Sequence, residues 1–484
     1  MKTSRYINIY TATTAVFVLL TYWLLAVKNG YMLRWYDEMS LFEPTRIFFR
    51  QSLYYPGGLL KWSGTWLTQL LYYPWLGSTA LVVLWLLLAW LTRKAFRMPD
   101  AVAPLALLVP LAILVSVVQL DEAWLSLKSA GYVFSNTLGC IFTILIVLAY
   151  RLSGPRWMLC AAIAAASALC YFFVGFFGLL GASICAILAV CTAIRDRKYL
   201  NLTTAAIAIV LIAVIPPLYY HYFQGNTVDN DLLYLKGLPE LMMEKFDIYL
   251  WKPFIAATAI LLILALIKGA MGWKEGKLMK WIATGAVCVM AIWCFRADNK
   301  SEQLRATVLM LQKLERSDWA GMTGVMSRIK EPPNYTMRTL NNLAVMNQGG
   351  EWQSLKGYQP ARGDGRHSEK FTMTAFANVP MCYNTGRFSE SYRWAMEHTV
   401  QYGKRVFFLK YMVKNALLRG EIQLAKRYND ILKSTMFHRQ WAEEMERYID
   451  NPALIESNPD FNRIFELGKA SGQQGPDGET ADIH

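Results

Sequence analysis

Long apolar runs constrain the fold of this chain more than any other feature. A helix needs about 20 apolar residues to cross a bilayer, and runs of about that length recur through the first part of the 484-residue chain. Charged residues make up only 17% of the chain, below the roughly 25% that is usual for soluble proteins. We therefore expect an all-α protein whose residues 1–296 form a polytopic membrane domain. Its predicted spans are nine: 8–27, 76–92, 102–120, 131–150, 157–172, 174–194, 202–220, 253–268 and 280–295.

The basic residues predict how these spans are oriented. Short Lys and Arg clusters lie between the apolar runs, and cytoplasmic loops are the ones that carry such clusters. With nine spans the clusters fall on one side, which predicts a cytoplasmic N-terminus in a bacterial inner membrane. The outer loops 28–75, 121–130 and 221–252, and everything after residue 296, are then expected in the periplasm. This arrangement accounts for the net charge of +14 without a nucleic-acid partner.

The sequence lacks the motifs that are typical of several functional classes. The eight cysteines include no CxxC pair, and there is no His-rich cluster, which argues against a disulfide framework and a structural zinc site. Neither a Gly-rich phosphate loop nor a GxSxG motif is present, which argues against an ATP-driven machine and a serine hydrolase. The predicted spans are almost free of ionisable residues, so a flippase or transporter ranks last among the alternatives.

Residues 297–467 are polar and predict helices that repeat. Turn-like positions recur around Trp319, Trp352, Arg387 and Glu421, with spacings of 33, 35 and 34 residues. A period near 34 is typical of tetratricopeptide-like helix pairs. We therefore predict a helical-repeat domain that binds a protein, interrupted by an insertion at 353–370 and followed by a disordered tail at 468–484.

Two pairs of acids lie in the predicted outer loops. Asp37 and Glu38 follow span 1, where a carboxylate could act as a general base that takes a proton from an acceptor; alternatively, the pair only fixes where the span ends. Asp121 and Glu122 begin the next outer loop, where Asp121 could instead cap a helix. Asp121 and Glu122 could position an acceptor or a cation. The two pairs could hold a divalent cation between them, or one pair could serve the donor and the other the acceptor.

Five cations in the outer loops are candidates for binding the phosphate of a donor. Arg suits this role because its guanidinium donates bidentate hydrogen bonds, and contact with membrane-lipid head groups is the alternative for each residue. The five residues are Arg46, Arg50, His221, Lys236 and Lys245.

The acid pair directly after span 1, the amphipathic segment 62–71 behind it and the second acid-bearing loop resemble the GT-C superfamily of integral-membrane glycosyltransferases. The protein O-mannosyltransferases and the lipid A aminoarabinose transferases are similar in this respect. The resemblance implies transfer of a sugar from a polyprenyl-phosphate carrier on the non-cytoplasmic face, with Asp37 or Glu38 as the base. Some protein O-mannosyltransferase relatives are similar in carrying tetratricopeptide repeats after the membrane part, and the whole chain resembles an uncharacterised family of bacterial envelope proteins.

The sequence thus supports two hypotheses of different classes. The first is a glycosyltransferase that modifies a protein or another envelope acceptor, with Asp37 as base and with the repeats recruiting the acceptor. The second is a membrane-anchored scaffold without enzymatic activity, whose repeats gather partners for envelope assembly or secretion.

Overall fold

The structure is a computed structural model of the whole chain. It describes residues 3–120, 127, 131–154, 156–197, 199–223, 230–240, 248–273, 276–298, 301–351, 353 and 369–470.

The first 297 residues form a bundle of α-helices, and no β-strand occurs in the described residues. Apolar side chains fill the bundle interior and also cover much of its outer face, as expected for helices that are surrounded by lipid. The helices are α1 (Thr3–Tyr22), α2 (Gly30–Glu38), α3 (Arg46–Leu53), α4 (Gly58–Thr68), α5 (Pro74–Phe96), α6 (Leu108–Val118), α7 (Tyr132–Leu152), α8 (Trp157–Leu169), α9 (Tyr171–Val174), α10 (Phe176–Asp196), α11 (Asn201–Phe223), α12 (Ile248–Leu266) and α13 (Lys277–Ala297).

Eight helical segments in the described residues are long and apolar enough to cross a membrane, which is consistent with a multi-pass membrane protein. Some of them join two neighbouring elements, such as α1 with the π-helical turn that follows it, or α8 with α9. The eight segments are Tyr10–Lys28, Pro74–Phe96, Tyr132–Leu152, Trp157–Val174, Phe176–Asp196, Asn201–Phe223, Leu250–Met271 and Lys277–Ala297.

The prediction of nine full spans needs a correction at its third member, 102–120. This segment forms a shorter apolar helix, Ala103–Val118, made of a 3-10 turn followed by α6. It packs against α12 and α13, and nearly all of its side chains are buried. A helix enclosed by other helices does not have to match the thickness of the hydrocarbon layer, and hydropathy alone does not distinguish such a buried core helix from a span that faces lipid.

The predicted first outer loop, 28–75, is folded into short helices. It contains α2, α3, α4 and a 3-10 turn, Gln69–Tyr72, and the predicted amphipathic piece 62–71 is divided between the last two. Pro56, Gly57 and Gly58 form the turn between α3 and α4, where Gly57 has a φ of 81°. That backbone conformation favours glycine.

The C-terminal part is a chain of helices in which successive members mostly pack against each other. The predicted insertion lies largely outside the described residues, as does the predicted tail after residue 470. The helices are α14 (Glu302–Leu314), α15 (Trp319–Met326), α16 (Tyr335–Asn347), α17 (Glu369–Asn384), α18 (Phe388–Tyr402), α19 (Val406–Leu418), α20 (Ile422–Lys433), α21 (Arg439–Asp450), α22 (Leu454–Ser457) and α23 (Pro459–Ala470).

The four turn positions singled out in the sequence share one way of ending a helix. At each of them a backbone N–H reaches back five residues to a carbonyl, as in the Schellman motif, and the residue before the donor has a φ between 52° and 82°. The four bonds run from Asp318 to Lys313, Gly350 to Val345, Arg387 to Cys382 and Glu421 to Ala416. The periodic turn is therefore present, whereas assignment to the tetratricopeptide class stays a prediction.

The C-terminal helices pack onto α2 at one end of the bundle. We call this end, which also includes the N-terminus of α7 and residues 230–240, the docking end. The hydrophobic core continues from the bundle into these helices. Trp35 of α2, for example, lies edge-on to Phe407 of α19 with their ring centroids 5.1 Å apart. The opposite end of the bundle is formed by the C-termini of α7, α10 and α12.

Candidate functional site

The acid pair lies in the last turn of α2, at the centre of the contact with the C-terminal helices. Asp37 is 2% exposed and Glu38 is 1% exposed. The C-terminal end of a helix carries partial negative charge, so two carboxylates there are unfavourable unless cations compensate them. The C-terminal helices supply those cations.

Glu38 is held by two basic residues. The Lys410 ammonium of α19 donates to both carboxylate oxygens at 2.9 Å, and Arg34 lies one turn earlier on α2 at 3.6 Å. Glu315 also lies 3.5 Å from Lys410. Burial raises the pKa of the Glu38 carboxyl, but Lys410, His438 and Arg34 outweigh burial and lower the pKa to about 2. Glu38 is therefore ionised at neutral pH.

Asp37 has a different partner and a pKa that shifts in the opposite direction. Its Oδ2 lies 2.9 Å from Nε2 of His438, just before α21. Burial raises the pKa of the Asp37 carboxyl, the bond to His438 lowers it, and the charge on Glu38 raises it again, so the net shift is upward. Two adjacent carboxyls whose pKa values shift in opposite directions are an arrangement that acid-base sites use.

Aromatic rings close the site around His438. Tyr72 lies edge-on to the imidazole at 5.1 Å and stacks on Phe437 at 5.4 Å. The Arg34 guanidinium lies over the Tyr72 ring, 3.9 Å from the ring centroid. The Met436 N–H donates to the Gln69 side chain at 2.9 Å. Because of these contacts, the acid pair is shielded from solvent.

Further polar contacts attach this region to the rest of the chain. Lys404 forms an ion pair with Glu43 at 2.9 Å, and the Val406 N–H donates to the Ser40 carbonyl at 3.2 Å. At the start of α2, Asn29 donates to Asp298 at 2.9 Å, just after the last bundle helix. α2 is thus bonded at its start to the end of α13, and the residues just after its last turn are bonded to the C-terminal helices.

Asp37, Glu38 and His438 also form a group that could hold a metal ion. One ligand atom from each lies within 4.8 Å of the others, and all three side chains are buried. Carboxylate oxygen with imidazole nitrogen is a usual ligand set for several divalent ions. Lys410 already bonds both oxygens of Glu38, so a cation would have to displace its ammonium.

A cavity of about 640 Å³ lies at the docking end, beside the acid pair's region but without Asp37 or Glu38 in its wall. The predicted first and third outer loops, the N-terminus of α7 and α18 all contribute to it. The lining residues are Tyr55, Pro56, Gly57, Gly58, Lys61, Tyr132, Ser135, Asn136, Tyr220, Lys236, Gly237, Leu238, Pro239, Glu240 and Gln401.

Glycines allow the loops around this cavity to lie in direct backbone contact with each other. A Cβ on Gly57 would lie 2.6 Å from the Gly237 Cα, and a Cβ on Gly175 would lie 2.1 Å from the Lys236 carbonyl oxygen. That carbonyl accepts from the Phe176 N–H at 2.7 Å, where α10 begins. Backbone-to-backbone packing therefore fixes the segment that carries Lys236.

The polar groups of the cavity include one charged pair and one amide that lacks a bond on its oxygen. Lys236 donates to the Glu240 carboxylate at 2.7 Å. Asn136 donates from its nitrogen to the Tyr132 carbonyl at 2.9 Å. Its buried Oδ1 has no hydrogen-bond partner in the described part of the chain. A buried polar atom without a partner marks a place where a ligand or water can bind.

The predicted site residues are only partly brought together. Lys236 lines the cavity, whereas Arg46 and Arg50 are exposed on α3 and His221 is exposed beside Tyr222. Asp121, Glu122 and Lys245 lie outside the described residues, so their predicted roles stay predictions.

The partners of the acid pair were absent from the sequence-based prediction. Lys410 and Lys414 interrupt the apolar run of α19, from Val406 to Leu418, and a lysine inside such a run is a signal that it has an acidic partner. His438 has no comparable signal, because it lies in a short polar turn. Of the cavity residues, Lys61, Asn136 and Glu240 were also absent from the prediction.

Together the fold and the site define a helical, multi-pass membrane protein whose C-terminal helices cover a buried ionic group. The chain belongs to a protein family described as a family of unknown function (DUF6057), whose model matches residues 5–477. No curated protein and no solved structure matches the chain.

Proposed function

We propose that the protein is a membrane glycosyltransferase that takes a sugar from a polyprenyl-phosphate carrier and transfers it to a protein or another envelope acceptor. The observation that carries this proposal is the cavity of about 640 Å³ at the docking end. Its volume falls within the roughly 300–1,000 Å³ of small-molecule sites. It also lies where a bundle of apolar helices meets a polar helical region, which suits a substrate with a lipid tail and a polar head.

The chemistry of the cavity wall supports such a donor. Lys236 supplies positive charge for a phosphate, while the exposed ring of Tyr55 offers an apolar face and a hydroxyl to a sugar. The free amide oxygen of Asn136 can accept a bond from a sugar hydroxyl. These groups would bind the two halves of the donor next to each other.

The transfer itself requires a base. In the proposed inverting displacement, a carboxylate takes the proton of the acceptor hydroxyl, the hydroxyl oxygen attacks the anomeric carbon, and the phosphate leaves with the electrons of the broken bond. Asp37 remains the proposed base, because burial raises the pKa of its carboxyl and a higher pKa makes the carboxylate a stronger base. His438 covers it, so an acceptor would reach Asp37 only after the segment with His438 moves.

Glu240 is a competing candidate for the base, because it is a carboxylate in the cavity wall. Its ion pair with Lys236 would bring a cation close to the leaving phosphate. Concentrated positive charge there stabilises the transition state. The two candidate assignments of the base, to Asp37 or to Glu240, therefore lead to different predictions for the same reaction.

The experiment compares glycoproteins and glycolipids of the cell envelope, by mass spectrometry, in a deletion strain that carries the native chain or a variant at matched expression. Asp37→Asn, Glu240→Gln and Lys236→Gln test the site. Lys252→Gln is the matched control, because Lys252 is an exposed lysine near the start of α12, at the same end of the bundle, and does not line the cavity. We expect Lys236→Gln to lose a product that Lys252→Gln retains.

The variants also separate the two candidate bases. Loss of product with Asp37→Asn but not Glu240→Gln assigns the base to Asp37, and the reverse assigns it to Glu240. A deletion strain with an unchanged set of glycoproteins and glycolipids would refute the transferase proposal.

A second candidate is the membrane-anchored scaffold, and one observation favours it. Both acids of the pair are fully engaged, Glu38 by Lys410 and Asp37 by His438, as a purely structural junction requires. In that case Asp37→Asn and Lys236→Gln would leave envelope glycans unchanged, whereas disrupting the junction would release partner proteins in a pull-down with the full chain.

A further inference from the structure

A second cavity, of about 270 Å³, lies at the opposite end of the bundle. Its wall is formed where α7, α10 and α12 end and where α8 and α11 begin. The 21 residues of α7 separate it from the first cavity by about 30 Å, at 1.5 Å per residue. The lining residues are Tyr150, Arg151, Gly154, Cys160, Leu188, Thr192, Arg195, Asp196, Asn201, Lys268 and Gly269.

Positive charge dominates this second cavity. Three of its lining residues, Arg151, Arg195 and Lys268, are cations, and Asp196 is the acid among the eleven lining residues. Asp196 is already engaged by Arg195 at 2.9 Å. The wall of the second cavity therefore has a net positive charge, and its three cations come from three different helical segments.

Protein contacts hold two of these cations in place. Arg195 donates to the Gly269 carbonyl at 3.2 Å, and Arg151 donates to the Ala95 carbonyl at the end of α5. Lys268 has no hydrogen bond or acidic partner among the described residues, and it is repelled by Arg151 and Arg195. An anion between the three side chains would relieve that repulsion.

We propose that this cavity binds the phosphate of an anionic lipid head group. Basic pockets between membrane helices bind such head groups, and Arg and Lys together supply bidentate and point-charge contacts to phosphate oxygens. Thr192 and Asn201, which also line the cavity, can bond to a glycerol or phosphate oxygen. The position at the ends of apolar helices puts the phosphate where a lipid tail can continue along the bundle. The site does not depend on the proposed transferase activity.

Native mass spectrometry of the purified full chain in detergent micelles tests this proposal. The probes are phosphatidylglycerol, phosphatidylcholine and inorganic phosphate, each titrated separately. Lys268→Gln removes a cavity cation, and Lys277→Gln is the matched control, because Lys277 begins α13 at the same end but does not line the cavity. Asp196→Asn removes the opposing charge.

We expect phosphatidylglycerol to bind the wild type in preference to phosphatidylcholine. Loss of one basic residue near a phosphate should weaken binding about fivefold, so Lys268→Gln should bind less and Lys277→Gln should match the wild type. Asp196→Asn should bind more tightly, a gain that misfolding would not produce. If inorganic phosphate shows the same order of variants and displaces the lipid, the phosphate comes from a soluble source. Equal binding of phosphatidylglycerol by wild type and Lys268→Gln would overturn the proposal.

Discussion

The ion pair between Glu38 and Lys410 should be the polar contact that contributes most to the attachment of the C-terminal helices. Lys410 donates to both oxygens of a carboxylate that is 1% exposed. In Lys410→Met, the nearest remaining cation is Arg34 at 3.6 Å. Removing one partner of a buried pair costs about 3–5 kcal/mol, because the other charge is left without compensation. That is a large share of the roughly 5–15 kcal/mol that stabilises a typical domain.

The assay is urea unfolding of the full chain in detergent micelles, followed by circular dichroism, for Lys410→Met, Glu38→Gln and the double variant. We expect the double variant to be destabilised by roughly 1–3 kcal/mol less than the sum of the single variants, because the two residues contact each other directly. Lys404→Met is the matched control. Its ion pair with Glu43 has the same 2.9 Å separation, but the lysine is half exposed. Lys404→Met should therefore lower the free energy of unfolding by no more than about 1 kcal/mol.

Two results would refute this reasoning. One is a free energy of unfolding for Lys410→Met that equals that of Lys404→Met. The other is additivity of Glu38→Gln and Lys410→Met to within about 0.5 kcal/mol, which would mean that the bond seen between them contributes nothing specific.

Three further predictions follow from single positions. Because folding raises the pKa of Asp37, its stabilising effect is present below the unfolded pKa and is lost as pH rises through the folded pKa. Asp37→Asn should therefore gain stability relative to wild type as pH rises above the unfolded aspartate pKa of about 3.9, measured in urea titrations at a series of pH values. Gly57→Ala should lower the free energy of unfolding by about 1–3 kcal/mol, because the added Cβ would contact the Gly237 backbone. Gly154 also has a positive φ, but a Cβ there would meet open space, so Gly154→Ala should lower the free energy of unfolding less in the same assay. Gly420→Ala should lower the stability by about 1 kcal/mol, measured as a lower thermal midpoint, because its φ of 75° favours glycine.

Local patterns predicted most of the helices. Apolar length is enough to identify a span, because a helix is the structure that satisfies every backbone group of a single segment within lipid. The turns near Asp318, Arg387 and Glu421 were equally visible, because residues that tolerate a positive φ interrupt the helical pattern there. The short helix Ala103–Val118 was predicted as a full span, because hydropathy does not report how far a helix is enclosed by others.

The site was predictable only in part, since its residues are far apart in the chain. Asp37 and Glu38 stand out because acids next to a span are rare, but their environment depends on Lys410 and His438, 372 and 401 residues further on. Lys236 was selected for its charge, and its place in the cavity depends on glycine contacts between separate loops.

The sequence by itself determined that this chain forms apolar helices followed by a polar helical region, because both properties depend on neighbouring residues. Only the tertiary structure decided that Asp37 and Glu38 are buried against His438 and Lys410 while Lys236 lines a cavity. The physical reason is that burial and charge pairing depend on which distant helices meet. Residue type and spacing along the chain do not contain that information.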